Sequence, residues 1–158
     1  MLRILLLLAS FQLGATDYYL GGGFLVMADD QEGEAYSLVV QDKKWKYSIA
    51  RFTSYGRTSW YPDHPEWGQR IQDDHFVASV TKRVHRTHIN DNLNFYIDFG
   101  FSYVDKLSRV NSTHLLFREN FGFEYKDLRL YWRRTSNAGI KQPNTGEDAI
   151  ILEYKIDL

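Results

Sequence analysis

The sequence predicts an all-β protein, specifically an eight-stranded antiparallel up-and-down transmembrane β-barrel, and three observations support this fold class. From Asp17 onward, apolar and polar residues alternate with a period of two, as they do in β-strands. Aromatic residues make up 16% of the chain, yet the mean hydropathy is only −0.43. Short and long connections alternate between the predicted strands, as they do in membrane barrels with short turns at one end and longer loops at the other.

The composition excludes several classes of protein. The chain has 158 residues, which suits a single domain, and its 19 Lys and Arg against 20 Asp and Glu give a net charge of −1. This balance lacks the basic footprint of a nucleic-acid-binding protein, so no nucleic-acid partner is expected. Cysteine is absent, which excludes disulfides, a thiolate nucleophile and a cysteine zinc site. No apolar run is long enough for a transmembrane helix.

The N-terminus has the layout of a secretory signal peptide. One positive charge at Arg3 precedes an apolar stretch that begins at Ile4, and the small residues Gly14 and Ala15 follow it. We predict cleavage after Ala15, which leaves a barrel domain over residues 16–158. The alternative is an N-terminal strand or buried helix. An exported chain without cysteine fits the bacterial cell outer membrane.

Eight strands of about ten residues follow in order along the chain. The alternation is weaker in the first four and clear in the last four, in which large apolar residues recur at every second position. The predicted ranges are 18–27, 34–42, 45–54, 75–85, 93–103, 115–125, 128–133 and 150–157.

The fifth strand indicates which face meets lipid. One of its faces is apolar or aromatic throughout 93–103, whereas the opposite face carries Asp98 with Asn, Gly and Ser. An eight-stranded barrel has little room inside for so many large side chains. The pattern therefore favours a membrane barrel with aromatic residues outside and paired charges inside. The alternative is a soluble lipocalin-like barrel or a sandwich, with the apolar residues inside.

The C-terminal hairpin places three polar residues on the predicted lipid-facing side. By alternation, Arg134 and Ser136 share the face of Trp132, and Asp148 shares the face of Ile150 on the next strand. Polar groups facing lipid are costly and usually functional. The alternative is that the membrane simply ends at this height and polar residues resume.

The same hairpin carries a family resemblance. The stretch Ser-Asn-Ala-Gly-Ile-Lys-Gln-Pro-Asn-Thr-Gly-Glu-Asp at 136–148 strongly resembles the C-terminal signature of the outer-membrane lipid A 3-O-deacylases of the PagL type. The resemblance implies an eight-stranded barrel that hydrolyses the ester of the 3-linked hydroxyacyl chain of lipid A. It also implies a Ser-His-Glu triad on the outer surface of the barrel.

Carried over residue by residue, the resemblance assigns a role to each matching position. Ser136 matches the nucleophile, and Asp148 matches the triad acid, which is normally Glu. Asn144 matches the Asn at the oxyanion hole, with the backbone N–H near Ala138 assisting. Asn137 matches the Asn that directly follows the nucleophile and is assigned to the same oxyanion region.

The position of the family's catalytic histidine, two residues before the serine, is occupied by Arg134. A serine nucleophile needs a base, and arginine keeps its proton in proteins. Three residues are candidate substitutes: His64 in the long 54–74 loop, His114, and Asp148. The parity of His114 points it into the barrel unless a bulge reverses it, and Asp148 is expected to pair with Arg134. The other histidines lie on or near the fourth strand, away from the seventh: His75, His85 and His88.

Three functions remain open at this point. In the first, the protein is a serine-dependent hydrolase that deacylates lipid A with an unconventional base. In the second, it is a catalytically impaired barrel that binds lipid A without hydrolysing it, with Arg133, Arg134 and Lys141 contacting the phosphates. In the third, it is a structural or adhesive barrel. We expect lipopolysaccharide and the membrane as partners, a monomer or homodimer, and neither a cofactor nor a metal.

Overall fold

The computed structural model describes residues 16–26, 32–55, 74–107, 111–141, 144 and 146–157. They form one closed antiparallel barrel in which each strand pairs with its neighbours in sequence and β1 pairs with β8. This confirms the predicted fold class. The strands are β1 Thr16–Leu25, β2 Glu32–Asp42, β3 Trp45–Tyr55, β4 His75–His88, β5 Leu93–Val104, β6 Leu115–Tyr125, β7 Leu128–Ser136 and β8 Glu147–Ile156.

Two predicted segments fall largely or wholly outside this description. The predicted signal peptide, residues 1–15, lies outside the described residues, as does most of the predicted 54–74 loop. In the part of the chain that is described, no helix has the length and apolarity to cross a membrane.

Several strands are longer than the polarity pattern predicts. β7 continues to Ser136 and β8 begins at Glu147, because Arg134 pairs with Asp148 and Thr135 with Glu147 along the ladder. Backbone pairing does not require apolar side chains, so the loss of alternation ended the predicted strands too early. β4 extends to His88 through a register shift in its pairing with β5.

The two ends of the barrel differ, as the sequence predicts. At one end, which we call the short-turn end, residues 43–44, 89–92 and 126–127 connect successive strands. At the opposite end, the long-loop end, the connections are longer, and one of them joins β7 to β8. Membrane barrels place such short turns on the periplasmic side and long loops on the outside.

The apolar side chains face outward, as the membrane interpretation predicts. Along β5, Phe99, Phe101 and Tyr103 are exposed, whereas Gly100 and Ser102 between them are buried. The same order holds on β7, where Leu130 is half exposed and its neighbour Tyr131 is buried. The alternative of a soluble barrel with an apolar interior is therefore wrong, because lipid-facing aromatic residues belong to a membrane barrel.

The interior holds a network of paired charges. Nζ of Lys46 lies 3.2 Å from Oε2 of Glu153 and 3.7 Å from Oδ2 of Asp98, and all three side chains are almost fully buried. The hydroxyl of Tyr131 donates a hydrogen bond of 2.5 Å to Glu153. The guanidinium of Arg129 completes the surroundings of Glu153, with Nη1 at 3.9 Å from Oε2. Pairing of this kind offsets the cost of burying charge.

Replacing Lys46 with methionine should destabilise the barrel by about 3–5 kcal/mol, because removing one partner leaves buried charges without compensation. Urea unfolding of the protein in lipid vesicles, followed by tryptophan fluorescence, measures the change. The control is Lys126→Met in an exposed short turn, for which a change within about 0.5 kcal/mol is expected. Equal effects of the two substitutions would contradict a stabilising role of the interior network.

Candidate active site

The candidate site lies on the outside of the barrel wall at the long-loop end, where β7 ends and β8 begins. Arg134 and Ser136 are two residues apart on β7, so their side chains leave the same face of the sheet. Asp148 is the ladder partner of Arg134 on β8. All three side chains are half-buried. The alternation therefore predicted the placement of these three residues correctly.

Ser136 is the last residue of β7 and is held by the turn that follows it. Its Oγ accepts a hydrogen bond of 3.3 Å from the backbone N–H of Ala138. Ala138 and Gly139 both have positive φ values, 54° and 78°. Two successive residues in this region turn the chain sharply, and the glycine adopts it without strain. The turn thus brings a backbone donor to the predicted nucleophile.

Asn137 organises the loop from within. Its amide nitrogen donates to Oγ of Ser112 at 2.8 Å and to the backbone oxygen of Lys141 at 2.7 Å, and its amide oxygen accepts from the N–H of Gly139 at 2.9 Å. Its backbone N–H donates to Oδ1 of Asn144 at 3.1 Å. The buried side chain of Asn137 is thus fully engaged in holding the loop, while Asn144 bonds to the residue next to Ser136.

Arg134 and Asp148 form the expected ion pair. Nη1 of Arg134 donates to Oδ2 of Asp148 at 2.8 Å, and the two side chains are 39% and 21% exposed. The other carboxylate oxygen, Oδ1 of Asp148, is buried and accepts no hydrogen bond from the described part of the chain. A buried acceptor without a donor is costly, so this oxygen is poised to accept a proton or a hydrogen bond.

Gly146 explains how these side chains fit together. A Cβ at this position would lie 3.3 Å from Nη2 of Arg134 and 3.3 Å from Cβ of Ser136. Nη2 of Arg134 and Cβ of Ser136 are therefore separated by at most twice 3.3 Å. The φ of Gly146 is +76°, which also disfavours a side chain there. The glycine leaves space in which the guanidinium lies next to the serine.

Glu119 is a neighbour of the site that the sequence reasoning did not assign to it. It is the ladder partner of Arg134 on β6, with its side chain half-buried on the same outer face. The signal was visible, because Glu119 interrupts an otherwise apolar face. The interruption is not caused by a bulge, because the register on both sides of β6 runs through Glu119 without a shift. Two carboxylates thus flank Arg134, one on each adjacent strand.

Arg133 lies on the opposite side of the barrel wall from Ser136. It is buried in the interior, with Nη2 at 3.3 Å from Oε1 of Glu147 and its guanidinium over the ring of Phe52. The expected contact of Arg133 with a substrate phosphate does not fit this position, because the residue preceding an outward Arg134 must point inward. Lys141, by contrast, is exposed on the loop.

The histidines that the structure describes have their recorded contacts away from Ser136. Nε2 of His75 lies 2.9 Å from Oε2 of Glu147 inside the barrel, so His75 contacts β8 across the interior although its strand is remote from β7 in order. His114 is exposed rather than pointing inward, because it precedes β6. Its ring stacks on Tyr103 and its Nδ1 lies 2.7 Å from the carbonyl of Val104, both on β5. His64 lies outside the described residues. The two remaining histidines are at the short-turn end: His85 and His88.

Comparisons with known proteins identify the fold and the family. Residues 34–157 match the family described as lipid A 3-O-deacylase (PagL). The crystal structure of the outer membrane enzyme PagL is similar to this chain, with a TM-score of 0.57 and 18% sequence identity over 89% of this chain and 99% of that chain. A structure from the de novo design of transmembrane β-barrels gives a TM-score of 0.48 and 14% identity over 92% and 98% of the two chains. Among curated proteins nothing matches.

The likeness to the PagL crystal structure supports the barrel fold, and the family match establishes the relationship. That match runs from the third residue of β2 through the end of β8 and includes the positions of Ser136, Arg134 and Asp148. The protein is thus a barrel of the outer membrane, and it belongs to the lipid A 3-O-deacylase (PagL) family.

Proposed function

We propose that this protein hydrolyses the ester that links the 3-hydroxyacyl chain to lipid A, with Ser136 as the nucleophile. The observation that carries this proposal is the shared surface of Ser136, Arg134 and Asp148 on the lipid-facing wall at the long-loop end. Long loops mark the outer side of membrane barrels. Lipid A in the outer leaflet therefore reaches the serine without leaving the membrane.

We assign the role of base to Asp148. Arginine does not accept a proton in proteins, and the described contacts of His114 are with β5. Asp148 is held by Arg134 through Oδ2, and its Oδ1 is available to accept. Diagonal neighbours on adjacent strands are about 7–8 Å apart, which is too far for the short aspartate to reach Ser136 directly. We therefore assign the proton transfer to one bridging water.

The oxyanion would be stabilised by groups at the start of the loop. The backbone N–H of Ala138 already points at Oγ of Ser136, and the side chain of Asn144 lies against the backbone of Asn137. The amide of Asn137 supports this arrangement indirectly by fixing the loop. Preorganised donors of this kind often provide the largest single contribution to acyl transfer.

The reaction then follows the two halves of serine ester hydrolysis. Oγ of Ser136 attacks the carbonyl carbon while its proton passes through the water to Asp148. The tetrahedral intermediate collapses, and the sugar 3-oxygen leaves with that proton. In the second half, a water molecule attacks the acyl-serine, gives its proton to Asp148, and Ser136 regains a proton as the 3-hydroxy fatty acid departs.

The surroundings of Ser136 suit a lipid with phosphates. Ile140 is 76% exposed on the loop beside the serine. Trp132 lies two residues before Arg134 on β7 and faces lipid on the same side of the sheet. These apolar surfaces would contact the acyl chains. Lys141 is exposed on the same loop and would contact a phosphate of lipid A.

The direct test is incubation of the purified protein with lipid A in detergent, followed by mass spectrometry of the products. We expect a lipid A species that has lost one 3-hydroxyacyl chain, together with the free 3-hydroxy fatty acid. Unchanged lipid A from a folded barrel would overturn the proposal of hydrolysis.

A second candidate is an impaired barrel that binds lipid A without cleaving it. The observation in its favour is the Arg134–Asp148 ion pair, in which the cation at the position of the family's histidine cannot act as a base. This alternative predicts lipid A binding by the wild type with no acyl release.

The Arg134→His substitution should raise the rate of acyl release by roughly 10²-fold or more, since a positioned histidine contributes about that much as a general base. The control is Arg134→Gln, which removes the same guanidinium without providing a base. An active wild type that is accelerated by histidine supports hydrolysis by the natural chain. An inactive wild type with an active Arg134→His variant supports the second candidate. If the wild type and the Arg134→His variant are both inactive although the variant folds normally, the assignment of Ser136 as a nucleophile is wrong.

A further inference from the structure

A second polar site lies at the short-turn end, at the membrane surface opposite the candidate active site. It is a cavity of about 290 Å³ between the β2–β3 turn and the end of β4. Seven residues line it: Gln41, Lys43, Lys44, Arg83, Val84, His85 and Arg86. None of the residues that we assign to ester hydrolysis belongs to it.

The lining of this cavity is strongly basic. Four of its seven residues are Lys or Arg, and none is acidic. Arg83 reaches Oδ1 of Asp98 at 3.0 Å and Oε2 of Glu124 at 3.1 Å, and Arg86 reaches Oε1 of Glu124 at 2.6 Å. These two carboxylates do not fully neutralise Arg83 and Arg86, because each carboxylate also pairs with a cation inside the barrel.

The interior partners make the charge imbalance clear. Asp98 also lies 3.7 Å from Nζ of Lys46, and Glu124 also accepts from Nε of Arg129 at 2.9 Å. Lys43 and Lys44 are exposed at the cavity mouth. The local positive charge therefore exceeds the negative charge, and such a positive region attracts anions.

Arg83 gives the cavity an unused donor. Its side chain is only 9% exposed, and Nη2 is buried without a hydrogen-bond partner among the residues that the structure describes. Burial of a guanidinium N–H without an acceptor is costly, and more so for a charged group. An anionic oxygen in the cavity would satisfy this donor, and guanidinium groups suit phosphate oxygens in geometry and charge.

The backbone of β4 is irregular beside this cavity. The ladder between β4 and β5 shifts register between Arg83 and His85, and the N–H of Arg83 donates to the carbonyl of Lys44 at 2.7 Å. On the other side of the cavity, Nε2 of Gln41 donates to the carbonyl of Lys43 at 2.8 Å. Bulges of this kind are enriched at functional sites because they redirect side chains.

The cavity also adjoins the lipid-facing surface. Val84 is 59% exposed and Trp45 is 44% exposed on the outer wall, and Nζ of Lys82 lies over the indole of Trp45. Tryptophan and lysine at this height are typical of the boundary between the apolar core of a membrane and its headgroups. The cavity is therefore open to ligands at the headgroup level.

We propose that this cavity binds a phosphate group, either that of an anionic glycerophospholipid at this membrane surface or a free phosphate ion. In the lipid-bound form, Nη2 of Arg83 and the ammonium groups of Lys43 and Lys44 contact the phosphate oxygens, and the acyl chains extend along the wall past Val84. The site is independent of ester hydrolysis, because it lies at the other end of the barrel.

Native mass spectrometry of the full barrel in detergent tests the proposal, with phosphatidylglycerol, phosphatidylcholine and inorganic phosphate as separate probes. We expect one phosphatidylglycerol per barrel, bound much more tightly than phosphatidylcholine. The double variant Lys43→Gln/Lys44→Gln should bind it roughly 25-fold more weakly, at about fivefold for each lysine near an anionic lipid. Both lysines are exposed in a turn, so the variant should fold.

The matched control is Lys106→Gln/Lys126→Gln, which removes the same charge from exposed positions outside the cavity. It should bind phosphatidylglycerol as the wild type does. Binding of inorganic phosphate alone, weakened in the same double variant, would identify free phosphate as the ligand. The proposal would be overturned if neither phosphatidylglycerol nor inorganic phosphate binds, or if the control variant weakens phosphatidylglycerol binding as much as the double variant does. Release of acyl chains from lipid A should be unchanged in both double variants.

Discussion

The Ser136→Ala variant is expected to release the 3-hydroxyacyl chain of lipid A at least roughly 10³-fold more slowly than the wild type. The physical reason is that the acyl chain has no oxygen to be transferred to once Oγ is removed. The hydroxyl of Ser136 accepts one hydrogen bond, from the N–H of Ala138, so its loss leaves the strand pairing intact. Mass spectrometry of lipid A from cells producing each variant measures the effect.

The matched control is Ser79→Ala. Ser79 is a buried hydroxyl inside the barrel that is hydrogen-bonded to Ser102, so the substitution removes the same group from a place that lipid A does not reach. We expect normal acyl release from this variant. If Ser136→Ala retains full activity in a folded barrel, another residue must be the nucleophile, and the assignment to Ser136 is wrong.

The Asp148→Asn variant is expected to slow acyl release by roughly 10²- to 10⁴-fold, the range that general base catalysis contributes. Asparagine keeps the size of the side chain and its bond to Arg134 but cannot accept a proton. Because it also weakens the ion pair, the Arg134→Gln variant serves to separate the two effects. It breaks the same pair while leaving the carboxylate, so it should lose less than roughly tenfold.

Glu119→Gln provides the matched control for the carboxylate itself. Glu119 faces Arg134 from β6 as Asp148 does from β8, so the substitution removes a similar charge at the same height. We expect acyl release close to that of the wild type. If Glu119→Gln is inactive while Asp148→Asn remains active, the base is Glu119 on β6, and our assignment of Asp148 is wrong.

Most of the fold could be predicted from the sequence, because in a membrane barrel successive residues of each strand alternate between the lipid-facing and the interior face. The long aromatic series on β5 and β6 predicted the strands, their outward faces and the closed barrel. The ends of β7 and β8 were missed because Arg134, Thr135 and Glu147 continue the backbone ladder with polar side chains. Hydropathy alternation detects the lipid-facing surface, and it loses its signal where a strand leaves the apolar layer.

The site was predictable in part for the same reason. Parity placed Ser136, Arg134 and Asp148 on one surface, and it should have placed Arg133 inside. Contacts across the barrel interior could not be read from the chain, because they join strands that are not neighbours. The approach of His75 to Glu147 is such a contact. The basic cavity was also missed, since it depends on a register shift near Arg83 that leaves no trace in the polarity pattern.

The back-to-back ion pairs on β7 and β8 make this barrel a useful scaffold for protein engineering. Arg133 with Glu147 lies inside the wall, and Arg134 with Asp148 lies outside it at the adjacent positions of the same strands. A slip of one residue would exchange the inner and outer sets, so the inner pair opposes such a slip whatever the outer face carries. An engineer could therefore rewrite the outer residues to process other membrane lipids while the inner pair keeps the two strands aligned.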